Sequence, residues 1–346
     1  MPPSGELQLI DEATWPGRGA RRWPQIAVAL TALAAYVGLL AIGWQAVQAL
    51  LPDTLSLTLA GHTVHVGHVH DHIANNALVM LLLLPTAFWL EYLFVGWEGS
   101  SLRQLTVRPT ASMRTDIAFF LLSQAHVMDV VAKLMLLGAS MISGLALQGW
   151  LRATFGLQID ASGLPLAAQI ALYFGVYSFF DYWTHRIDHT RYFWPLHRYH
   201  HAAHDFCVIN ANREHPAAFV SLFLINLPMA VLGASAEVMI YINVGVAALG
   251  MLIHSRIDAN WGWIGRWVIQ SPNHHRLHHK LDMSEPTGHF AIAPVWDHLF
   301  GTWYGDADQS LAIGVAEPYR HGFWIGADLV RDYCDFWRGF FRRATT

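Results

Sequence analysis

Eight histidines fall into three short boxes whose spacing suits metal ligation. His185-Arg-Ile-Asp-His189 puts two imidazoles at i and i+4, stacked one turn apart on a helix face. His197-Arg-Tyr-His200-His201 and His275-Arg-Leu-His278-His279 share a His-x-x-His-His pattern, and each follows a proline suited to a helix start, Pro195 and Pro272. Eight imidazoles exceed what one four-coordinate metal takes, and protonated together they would repel, so the boxes imply two metals held by neutral rings. His254 is a ninth candidate, because it ends a long apolar stretch that should bring the chain back to the same face. Ligating imidazoles usually donate their outer N–H to a carboxylate or carbonyl, and Asp181, one turn before His185, is the first choice for that role. His204, His215, His274, Asp297 and His298 are further candidates for the outer shell. Asp188, Asp205, Glu214, Asp282 and His289 also lie near the boxes, and an ordinary surface or core position is the competing reading of each.

The elements that carry these boxes are apolar. The chain of 346 residues is 54% hydrophobic and 13% charged, with 21 histidines against 21 Lys plus Arg. Soluble domains carry about twice that charged share. A formal charge of −4 without a long basic run argues against a nucleic-acid partner. Two cysteines, Cys207 and Cys334, cannot build a disulfide framework or a cysteine-rich metal site. Apolar spans are expected at about 26–50, 77–97, 117–150 and 164–183, with a helical hairpin over 217–253 interrupted by Pro228 and Gly233. The first span follows Arg18, Arg21 and Arg22 and runs too long for a signal peptide. Arginines before the first span and after the second place the N-terminus, and with it the boxes, on the cytoplasmic face. The expected fold is all-α: a multi-span transmembrane helical bundle under a cytoplasmic helical cap that holds the histidines. Residues 1–163 form the anchor region, 164–310 the catalytic region and 311–346 an amphipathic tail.

The order of the boxes, with Asn-Arg-Glu-His-Pro at 212–216 and Trp-Asp-His-Leu-Phe-Gly-Thr at 296–302, resembles the fatty acid hydroxylase and sterol desaturase superfamily. The resemblance covers about residues 170–304. It implies a non-haem di-iron centre, with the eight box histidines as ligands and His254 matching a further family histidine. It also implies O2 as co-substrate, a membrane lipid as substrate, and an electron-transfer protein of the ferredoxin or cytochrome b5-like kind. The expected reaction is hydroxylation or desaturation of a lipid C–H bond. One departure stands out: Gly288-His289-Phe290 where many relatives read Asn-aromatic-Gly.

Five more histidines, His62, His65, His68, His70 and His72, lie outside the resemblance. The expected topology puts them across the bilayer from the boxes, in an outer loop or short hairpin. A membrane zinc hydrolase is a rival reading, but HExxH and a Gly-x-Ser-x-Gly turn are absent. A metal- or haem-handling membrane protein is a second, and it should place its ligands within the spans.

Overall fold

A computed structural model describes residues 23–59, 62–66, 69–124, 130–157, 160–281, 288–305 and 310–341. The chain divides into two compact units, residues 1–102 and 103–346. Among the described residues it is helical apart from one two-stranded hairpin.

In the first unit α1 (Trp23–Leu50) runs 28 residues without a charged side chain. The antiparallel hairpin β1 (Leu55–Leu59) and β2 (His62–Val66) follows, with Leu59 opposite His62 and Ser56 opposite His65. Then comes α2 (Val69–Gly99), kinked at Gly96, whose φ of 69° favours glycine. The buried Glu91 carboxylate accepts the Ser101 N–H and hydroxyl, both at 2.6 Å, and so anchors the start of α3 (Ser101–Val107).

In the second unit the apolar stretch expected near 117–150 runs as two helices, α4 (Ala111–Gln124) and α5 (Val130–Phe155). His126 and Asp129 lie outside the described residues, as does Asp282. The core is built by α6 (Leu166–Asp188), α8 (Phe219–Val231) and α9 (Ala236–Ile253), through Tyr173 and Tyr177, Ile225 and Met229, and Met239 and Ile242. The expected hairpin is present: Gly233 turns the chain at φ 83°, and the Ser235 hydroxyl caps α9 by accepting the Val238 N–H. Pro228 sits inside α8 rather than in the turn. Asn226 and Asn243 bond across the hairpin at 2.7 Å, a polar clasp between two apolar helices.

The short helices α7 (Trp194–His201), α10 (Gly262–Trp267), α11 (Pro272–His278) and α12 (Val295–Leu299) lie around the ends of this core, followed by α13 (Gly326–Phe341). One face of α13 packs on α7, and Arg198 forks onto Asp332 at 3.0 and 2.6 Å and reaches Asp335 at 2.6 Å. Its other face leaves Val330, Trp337, Phe340 and Phe341 exposed. Among the described residues, two helical stretches are long and apolar enough to cross a membrane, Ile26–Leu50 and Ala236–Ile253. The spans expected at 77–97 and 164–183 fall within α2 and α6.

Gly144 lets α5 and α8 touch. A Cβ there would lie 2.9 Å from the Ala230 carbonyl carbon and collide with the Ala230 side chain. Gly144→Val should therefore pry the helices apart and cost about 1–3 kcal/mol, measurable as a lower unfolding midpoint in detergent.

Candidate metal centre

Four helices of the second unit end at one place, and their ends carry the histidines. His185 lies in the last turn of α6 and His189 is its C-cap; α7 closes on His200 and His201; His254 caps α9; His275, His278 and the C-cap His279 finish α11. Proline in the first turn begins both α7 and α11, as expected, and the Ser271 hydroxyl caps α11 by accepting the His274 N–H. Helix C-termini carry partial negative charge, so this convergence favours a cation.

The nine rings sort into two groups. His185, His189, His197, His201 and His278 form one, and His200, His254, His275 and His279 form the other, with the ligand atoms of each within 4.8 Å of one another. The groups abut where His201 stacks on His279, ring centres 4.1 Å apart.

What these rings can bind follows from where their protons are. Nδ1 of His254 donates to the Gly250 carbonyl at 2.7 Å, and Nδ1 of His200 donates to the Arg213 carbonyl at 3.3 Å. Nδ1 of His275 donates to Oε1 of Gln270 at 3.0 Å, and that amide is oriented by its own donation to the His289 carbonyl. A neutral imidazole has one N–H, so all three Nε2 atoms are bare. Yet Nε2 of His254 lies 2.9 Å from Nε2 of His275 and 3.4 Å from Nε2 of His200. Lone pairs facing lone pairs at that range repel. Nitrogens sharing one metal at about 2.1 Å each lie about 3.0–3.4 Å apart, which is the spacing seen here.

The five-ring group repeats the pattern. Nδ1 of His185 donates to the Phe290 carbonyl at 2.7 Å and Nδ1 of His278 to the Gly288 carbonyl at 2.8 Å. Nε2 of His197 faces Nε2 of both His185 and His201 at 3.1 Å. Both nitrogens of His189 and Nε2 of His278 are buried with no hydrogen-bond partner, the signature of a donor set that fits a metal.

The outer-shell candidates lie elsewhere. Asp181 lines the adjoining cavity and accepts the Ile292 N–H, while the outer nitrogen of His185 turns to Phe290 instead. Asp297 accepts the Phe290 and Ala291 N–H groups and the Thr302 hydroxyl, so it fixes the loop whose carbonyl holds His185. His215 donates to the Leu329 carbonyl, tying the site to α13. His204 pairs with His321, His274 bonds Ser271 and Gly265, and His298 stacks on Trp267. Gln270 and Arg213 were missed. The Arg213 guanidinium is buried against Asp116 and the Tyr199 carbonyl while its own carbonyl holds His200, and Arg-x-His-Pro was its one signal in sequence. The departure at Gly288-His289-Phe290 is local in origin. A side chain at Gly288 would meet the Thr302 carbonyl, and His289, at φ 57°, donates its ring Nε2–H to the Tyr304 carbonyl.

A cavity of about 460 Å³ opens onto both groups, touching His185 and His197 of one and His200, His254 and His275 of the other. Ile225, Val246, Ala247 and Met251 line its apolar part, and Asp181, Asp188 and Glu214 its polar part.

A family model for fatty acid hydroxylases matches residues 170–302, a stretch that contains all nine histidines. This region belongs to the fatty acid hydroxylase superfamily. Over 166 residues the chain is 31% identical to an ornithine lipid hydroxylase from Rhizobium tropici, covering 46% of this chain and 49% of that protein. Over 146 residues it is 26% identical to an alkylglycerol monooxygenase from Xenopus tropicalis, covering 40% of this chain and 32% of the relative. The chain thus spans about half the length of the first relative and a third of the second. No solved structure matches it.

Burial, and for all but His185 repulsion from neighbouring rings, holds these hydroxylase-region imidazoles below their usual range, with His185 and His254 at about 4. A depressed folded pKa means that the unfolded chain takes up protons first as pH falls. The metal-free protein should therefore be most stable above the unfolded histidine value of 6.5 and lose stability as pH drops from there toward 4. Unfolding midpoints of chelator-treated protein across that window check this; a flat profile would contradict the buried neutral rings.

Proposed function

We propose that this chain is an integral membrane lipid hydroxylase in which each imidazole group holds one iron. His185, His189, His197, His201 and His278 would hold the first, and His200, His254, His275 and His279 the second. The observation that carries this reading is the facing of bare Nε2 atoms, which a divalent cation between them relieves. Imidazole suits several transition metals, and iron follows from the superfamily. The two apolar stretches that can cross a membrane support the membrane reading, and the arginine distribution supports boxes on the cytoplasmic face.

When bound, paired iron supplies reductive activation of O2: one oxygen atom enters a lipid C–H bond and the other leaves as water, using two protons and two electrons from an external carrier protein. The chain's own groups do the positioning. The Gly250, Arg213, Phe290 and Gly288 carbonyls and the Gln270 amide fix the tautomers, so bare nitrogens point inward. The apolar walls of the α8–α9 hairpin suit an acyl chain, and the carboxyls of Asp181, Asp188 and Glu214 in the same wall suit a cationic amine on the lipid. The Rhizobium tropici relative is named for such a lipid. Both relatives' names favour hydroxylation over desaturation.

The test is metal analysis of protein from iron-replete cells, followed by oxygen uptake with lipids and a reducing system. Two irons per chain and a product heavier by one oxygen atom are expected; a single zinc with lipid hydrolysis would overturn the reading. His254→Ala should halve the metal content and abolish turnover, whereas replacing His65, His68, His70 and His72 together should leave it unchanged. Asp188→Asn with Glu214→Gln should raise KM for an amine-bearing lipid while leaving a neutral glycerol ether lipid unaffected.

A further inference from the structure

Three histidines without a place among the metal ligands, His274, His289 and His298, lie in one stack of rings. Trp267, 38% exposed, stacks on His298 with ring centres 3.9 Å apart. His298 stacks on Trp303 at 4.5 Å, and Trp303 meets His289 at 4.4 Å and His274 at 4.5 Å. The outer end opens at a surface hollow of about 340 Å³ walled by Trp263, Arg266 and Trp267 and reaching down to His274. The inner end reaches both metal groups. His274 is the chain neighbour of His275, and His289 stands between Gly288 and Phe290, whose carbonyls hold His278 and His185.

We propose, resting on the two-metal reading above, that this ladder is the path by which electrons from a one-electron carrier protein pass from the hollow to the metal pair. Electron tunnelling falls steeply with each gap between groups, and the rings of this ladder follow one another at 3.9–4.5 Å between centres. Oxygen insertion needs two electrons that the lipid does not supply, and the rings of the second group, His200, His254, His275 and His279, are all buried. Packing alone does not call for imidazoles here, since aliphatic side chains would fill the same volume. Each carries a polar cost met by a backbone partner, the Arg266 carbonyl for His298 and the Gly265 carbonyl for His274. The electron tunnels from the reduced carrier at the rim to oxidised metal through the touching rings without residing on any of them, so the carrier is oxidised and the metal reduced by one equivalent per passage. Arg266, a cation in the wall of the hollow, suits a carrier with an acidic face.

The test injects electrons at the rim without needing the natural carrier. A ruthenium tris-bipyridyl photosensitiser is attached to Trp263→Cys in a Cys334→Ser background, Cys207 being buried, and reduction of the metal pair after a laser flash is followed by its visible absorption. Trp303→Leu should slow arrival by an order of magnitude or more at unchanged metal content, and Trp303→Phe should restore it. With the sensitiser moved to exposed Trp324→Cys on the segment before α13, Trp303→Leu should make no difference. Equal arrival in Trp303→Leu and the parent, or equal slowing from both sensitiser positions, would overturn the ladder. If Trp303→Leu sheds metal, Trp267→Leu at the rim carries the same expectation and the same refutation. A labelled parent that holds no reducible metal would sink the proposed function itself, a separate and recognisable failure.

Discussion

Everything in the second unit is arranged around bare imidazole nitrogens brought within about 3 Å of one another, an arrangement that costs energy until a cation sits between them. The cost is imposed by the outer nitrogens. Because carbonyls of Gly250, Arg213, Phe290 and Gly288 take the Nδ1 protons, the inward nitrogens cannot relieve each other by hydrogen bonding. Those carbonyls come from three separate stretches of chain, so the site demands that α9, the 208–216 turn, the 288–292 loop and the box helices all be in register. The site and the fold of this unit are therefore one problem. Metal binding should stabilise the unit as a whole, and its loss should be felt far from the histidines.

Charge pairs behind the rings hold that register. Arg198 points away from His197 and His200 on the opposite face of α7 and is gripped by Asp332 and Asp335 of α13. Arg213 ties α4, through Asp116, to the carbonyl end of Tyr199. Burial pushes Asp116 up to about 6 even beside that guanidinium, so desolvation outweighs the attraction. Such a pair adds little net stability, but removing either partner strands the other. The role best fitted to it is geometric: it fixes where the Arg213 carbonyl meets His200. Asp297 works in the same way on the 288–292 loop, accepting two backbone N–H groups and a hydroxyl without touching a histidine.

The boxes were legible in sequence because a helix turns i, i+3 and i+4 onto one stripe and because Pro195 and Pro272 mark its start. The hairpin was legible from its apolar length and from Gly233, although Pro228 proved to be a helix residue. How the rings divide between two groups was not legible. His200 and His201 are chain neighbours, yet they serve different groups, since successive helix residues point about 100° apart. Each His-x-x-His-His box therefore spans both groups, and no box corresponds to one metal. Asp181 drew attention as a carboxylate one turn from His185, but the outer nitrogen of that ring faces the opposite way, toward a backbone carbonyl. A carbonyl carries no residue identity, so four of the five groups that set the tautomers left no mark in the sequence. Gln270, the fifth, left one that only its position beside the third box could have revealed.

The cavity links the two characters of this chain. Its apolar wall is the inner face of the α8–α9 hairpin, where Asn226 and Asn243 close the helices on each other, and its polar end lies where α6 and α9 stop. A helix can be apolar along its length but must expose unsatisfied carbonyls at its C-terminus, and four such ends meet here. Spent on water, those carbonyls would make an ordinary helix boundary. The Gly250 carbonyl accepts both the His254 N–H and that residue's imidazole proton, which converts the end of an apolar helix into one wall of a cation site. On the proposed reading, a long apolar guest guided along α8 and α9 would meet the metals only with the portion that projects past the helix ends. Position along the guest is set by helix length before any side chain takes part.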